Sequence, residues 1–110
     1  MQADVLRDLV VSTLEDRQAQ HIQVLDVRNY NSIADFFIVA SGTSSRHVTA
    51  TAEAVAFQAK QAGEPALGQE GLREGEWALV DLDSVIVHVM QEPVRAYYQI
   101  EKLWSTPARS

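Results

Sequence analysis

The stretch Trp77-Ala-Leu-Val-Asp-Leu-Asp-Ser-Val-Ile-Val-His-Val-Met90 decides how this chain folds. Two runs rich in β-forming residues flank a short polar turn, the pattern of a tight hairpin. Strand side chains alternate between faces. Any even-length turn around residues 82–84 therefore sorts them the same way. One face carries Ala78, Val80, Leu82, Val85, Val87 and Val89, all aliphatic, and reads as core. The other carries Trp77, Leu79, Asp81, Ile86, His88 and Met90. An aromatic, a thioether, an imidazole and a carboxylate on one face belong under a helix or against a partner.

Working outward, residues 34–41 (Ala-Asp-Phe-Phe-Ile-Val-Ala-Ser) form a continuous apolar run, the habit of a central strand buried on both faces. Gly42-Thr-Ser-Ser then opens a helix, with Thr43 or Ser44 as N-cap. Its stripe is Val48, Ala52, Val55, Ala56, Ala59 and Ala62, and Gly63 closes it. Residues 2–19 suit a first helix through Val5, Leu6, Leu9, Val10, Thr13 and Leu14. Residues 21–28 alternate as a strand, and Asn29-Tyr-Asn-Ser is a turn cluster. A short edge strand is expected near residues 67–70. Pro93 starts a last helix lined by Val94, Tyr97, Tyr98, Ile100, Leu103 and Trp104. The fold class is α/β, a mixed four- to five-stranded sheet with flanking helices.

At 110 residues, one domain is expected, spanning residues 1–104 with a disordered tail over 105–110. The chain has no cysteine, which removes disulfide and thiolate chemistry. No apolar run approaches the ~20 residues that span a bilayer. The first residues carry acids where a signal peptide needs bases, so a cytoplasmic protein is expected, with no membrane partner. The net charge is −6, from nine basic and fifteen acidic residues, and only Lys60 and Lys102 are lysines. Nucleic-acid binding depends on cations neutralising phosphates, so little direct nucleic-acid contact is expected. An acidic surface suits a basic protein partner.

Three chemistries deserve weighing. Ser41-Gly-Thr-Ser-Ser-Arg46 ends a strand and opens a helix, but the second glycine and the lysine of a phosphate loop are missing, so an ordinary capped helix is the expectation. Asp81 and Asp83 form an Asp-x-Asp pair after a Gly-Thr-Ser turn, the order in which nucleotidyltransferases hold two Mg²⁺ ions. Here Asp83 falls in the hairpin turn, and the neighbouring strand offers His88 and Met90 in place of a third acid. A metal-dependent nucleotidyltransferase is the alternative function, and a purely structural dimer module a further one. His21, His47 and His88 show no ligand spacing, so no metal or cofactor is expected. The residue excess lies in Trp77, His88, Met90, Tyr97, Tyr98 and Trp104, types enriched at interface centres. Tyr97 and Trp104 are expected to face inward, Trp77 and Met90 a partner.

The blocks Ala34-Asp-Phe-Phe-Ile-Val-Ala-Ser-Gly-Thr-Ser-Ser-Arg-His-Val48, Glu70-Gly71, Trp77, Asp81-Leu82, Val85-Ile-Val-His-Val89 and Glu101-Lys-Leu-Trp104 resemble the ribosomal silencing factors, or Iojap-like proteins. The likeness extends over residues 26–104. It implies a nucleotidyltransferase-like α/β fold without enzymatic activity. It further implies docking on the large ribosomal subunit at its fourteenth protein, a block on joining with the small subunit, and lowered translation in starvation or stationary phase. A homodimer is also implied. The partner-binding residues expected on this basis are Trp77, Asp81, His88, Met90, Glu92, Glu70 and Tyr98. The family usually has Gly-Asp where this chain has Asp83-Ser84, so an acidic contact at position 84 is lost and Asp83 partly replaces it.

Overall fold

A computed structural model describes residues 1–29 and 33–105. Along the chain run α1 (Ala3–Asp16), β1 (Gln20–Asp26), β2 (Phe36–Gly42), α2 (Ser45–Gln61), β3 (Gly68–Glu70), β4 (Trp77–Asp81), β5 (Val85–Gln91), α3 (Glu92–Tyr98) and α4 (Glu101–Ser105). The strands form one sheet in the order β1-β2-β5-β4-β3. β2 and β5 are parallel, and the other neighbours antiparallel. This is the mixed α/β sheet expected, in its five-stranded form.

The hairpin has the two-residue turn that its alternation requires. Leu82 N–H donates to the Val85 carbonyl at 2.9 Å, leaving Asp83 and Ser84 at the tip. Asp83 takes φ 73°, a left-handed conformation that glycine adopts without strain and that aspartate tolerates better than most residues. The Asp81 carboxylate accepts the Asp83 N–H at 2.9 Å and steadies the bend.

The aliphatic face is sealed as expected. Ala78, Val80, Val85, Val87 and Val89 are wholly buried and Leu82 nearly so. α1 and α2 cover it, burying Leu6, Val10, Leu14, Val48, Ala52, Val55 and Ala59 against Phe36, Ile38 and Ala40 of β2. The small side chains of α2 let that helix lie close on β4 and β5. Ser44 is its N-cap, its side chain accepting the His47 N–H, and Gly63 at φ 88° ends it.

The C-terminal segment departs from expectation. Its apolar spacing predicts a single helix from Pro93 to residue 104; the structure has two. Gln99 takes φ 49° and donates its N–H to the Arg95 carbonyl at 2.8 Å, closing α3 before α4 begins. The break interrupts the expected stripe, so its residues no longer share one face. Tyr97, expected inward, is 81% exposed, and Leu103 is exposed as well. Val94 and Ile100 instead pack on Val39 and Met90. The side chain of Trp104, residues 30–32 of the expected turn cluster and residues 106–110 of the expected tail lie outside what is described; Ser105, assigned to that tail, ends α4.

Candidate partner-binding face

Strand register sets out the second face of the sheet in three rows. The first runs Leu25, Phe37, Ile86, Asp81, Gly68; the second Gln23, Val39, His88, Leu79, Glu70; the third Ser41, Met90, Trp77. α3 and α4 cover only part of it. Leu25, Val27, Val39 and Met90 are buried in a second core cluster, with Phe37, Trp77, Val94 and Ile100 packed around it. Beyond the helices, Leu79, Ile86 and Asp81 remain half-buried, and Glu70 is exposed at the β3 edge.

This layout corrects the expectation for Met90. It is fully buried, because Val94 and Ile100 sit over the third row, so its thioether does not reach the surface of this chain. His88 is nearly buried at 8% exposure. Trp77 is half-buried, and its indole N–H donates to His88 Nδ1 at 3.0 Å. Tyr98, which is 54% exposed, stands over Trp77 with ring centroids 4.9 Å apart, and Tyr97 meets Tyr98 edge-on at 5.0 Å. Trp77 and Tyr98 are thus brought together at the border of the C-terminal helices. Gly71, at φ 77°, packs so close to the Trp77 carbonyl that any Cβ would clash.

The acids divide. Asp81 and Glu70 share the open side with Leu79 and Ile86. Glu92 does not join them. Its carboxylate pairs with His21 Nδ1 at 3.0 Å, on β1, across the sheet from Trp77. A hydrogen bond from Ser41, then one from His21, holds its pKa below the usual glutamate value. Beside it lies a buried cation that the sequence did not announce. Arg95 is 8% exposed and donates to the Ser41 hydroxyl at 2.8 Å, the His21 carbonyl at 2.8 Å and Glu101 Oε1 at 3.1 Å. Its neighbours in sequence are apolar or aromatic, so nothing local marks it as buried. Leu79 and Ile86 were also missed as surface candidates, although their parity with Trp77 was the available signal.

The enzymatic alternatives fare less well on geometry. Asp81 Oδ1 is engaged by the turn, and Asp83 sits at its tip. In register with Asp81 stand Ile86 and Gly68, neither an acid. Among the described residues no three His, Cys, Asp or Glu gather as metal ligands would. At the start of α2, the Thr43 N–H donates to His47 Nδ1 at 2.9 Å and the His47 N–H to Ser44 Oγ at 3.1 Å, so these amides are already satisfied. Among the described residues no helix is long and apolar enough to cross a membrane.

The fold and this face define a small α/β protein with one sheet face closed by helices and the other left half open, apolar at its centre and acidic at its edge. The chain belongs to the ribosomal silencing factor family: the family described as ribosomal silencing factor during starvation matches residues 2–110. A ribosomal silencing factor from Haemophilus influenzae is 41% identical over 100 residues, covering 91% of this chain and 98% of that one. A mouse protein named for mitochondrial assembly of the ribosomal large subunit is 33% identical over 101 residues, which cover 89% of this chain and 44% of that protein. The crystal structure of a protein from Chromobacterium violaceum superposes with a TM-score of 0.94 at 41% identity, covering 100% of this chain and 92% of that one.

Proposed function

We propose that this protein binds the large ribosomal subunit at that subunit's fourteenth protein and keeps the small subunit from joining, lowering translation in starvation or stationary phase, without catalysis of its own. Family membership across residues 2–110 is the observation that carries this reading. The open half of the second sheet face supports it. Leu79 and Ile86 offer an apolar centre, Trp77 and Tyr98 an aromatic anchor, and Asp81 and Glu70 an acidic edge suited to a basic ribosomal protein. The negative net charge of −6 points the same way.

The test is subunit joining. Added to separated subunits before they meet, the protein should lower the joined-ribosome peak in a sucrose gradient. A Trp77→Ala variant should need about tenfold more protein for the same effect, since a buried aromatic anchor carries ~2 kcal/mol or more. A joined peak unchanged at several-fold excess of the parent protein contradicts the proposal.

A further inference from the structure

Trp77 would be a poor anchor if its indole swung freely. Its N–H is a donor with no acceptor capacity, and in this fold it donates to His88 Nδ1 at 3.0 Å. His88 sits on β5, opposite Leu79 and next to Val39 in register. Its ring lies 6.0 Å from that of Trp77 and meets Phe37 edge-on at 5.8 Å. Walls on both sides fix the imidazole, and the imidazole fixes the indole. Tyr98 closes the arrangement from the solvent side at 4.9 Å. Accepting at Nδ1 requires a neutral ring with its proton on Nε2, a state that burial among apolar side chains favours.

We infer that His88 is a positioning residue: it meets no partner itself, but aims the Trp77 indole, and through it Tyr98, at the surface that docks. This rests on the docking reading proposed above and changes the expected role of His88 from contact to support. A side chain that merely fills the core would be replaceable by any apolar residue of like size. One that aims an indole must present an acceptor at the Nδ1 position.

The experiment uses the whole chain with purified large subunits. His88→Leu removes the acceptor. His88→Asn restores one close to the Nδ1 position. The indole N–H resonance of Trp77, assigned by its loss in Trp77→Phe, reports the hydrogen bond directly. In His88→Leu that resonance should move upfield and broaden, and binding should weaken about tenfold through faster dissociation. His88→Asn should keep the resonance near its parent position and bind within about threefold of the parent. In a Trp77→Phe background, His88→Leu should cost no further binding, because the N–H it served is gone. The inference is overturned if His88→Leu moves the resonance yet binds as the parent does, if Asn and Leu weaken binding equally, or if the loss persists undiminished in the Trp77→Phe background. Should His88→Leu fail to fold, His88→Asn decides: a folded His88→Asn variant that keeps the resonance but loses binding, or that loses the resonance and binds as the parent does, overturns the proposal. Failure of the parent to bind large subunits at all would sink the docking reading instead, while the resonances still report whether His88 holds Trp77.

Discussion

His88 is held neutral beneath the C-terminal helices, and this has a consequence in acid. Burial pushes its pKa from 6.5 down to about 4, against a smaller upward pull from the Glu101 carboxylate. Between those two values the unfolded chain binds a proton that the folded chain does not, so stability rises with pH across that window and falls as pH drops through it. The full shift corresponds to about 3 kcal/mol. The carboxylates of Asp26 and Glu92, held low by Arg28 and by Ser41 with His21, also lose their contribution as pH falls, but through pKa values below 3.8 and 4.5. Urea unfolding at pH 7 and pH 4.5 separates the effects. The parent should lose more stability than His88→Asn, which has no imidazole to titrate; equal losses would show that His88 is not the group responsible. At this scale parity in the hairpin was readable, because alternation is a property of the strand alone. Which residues of the second face stay exposed was not. Met90 and Leu79 have the same parity, and only the reach of Val94 and Ile100 distinguishes them.

Elements with one strong local signal were legible from sequence. β2 announced itself as an unbroken apolar run, and α2 by its Ser44 cap, alanine stripe and terminal Gly63. The C-terminal helices were not, because Gln99 is an unremarkable residue in sequence, and the tertiary contacts around its left-handed turn join residues far apart in the chain. Chief among these is Arg95, which ties α3 to β1 and β2 and then to α4 through Glu101, whose side chain is 19% exposed. Removing one partner of a buried ion pair strands the other, a loss typically of 3–5 kcal/mol. Arg95→Ala should therefore cost about 3 kcal/mol, read as a lower urea midpoint, and should speed amide exchange in α3 and α4 before it does so in α2. A stability change under about 0.5 kcal/mol would mean that the network does not hold the helices down.

For the whole molecule, two sheet faces have two fates. One is closed by α1 and α2 into the main core; the other is half closed by α3 and α4, leaving Leu79, Ile86, Asp81 and Glu70 beside the Trp77–Tyr98 pair. On the docking reading proposed above, this apolar strip between an aromatic pair and two acids is the surface offered to the partner. Composition foretold the sign of that surface, since fifteen acids against nine bases must show somewhere, but not its place. The claim on which the account turns is that this surface serves the large ribosomal subunit. It is tested most directly by mixing the purified protein separately with isolated large and small subunits and pelleting each through a sucrose cushion. The account predicts that the protein pellets with large subunits and stays in solution with small ones. Equal recovery with both, or recovery with neither, would contradict it.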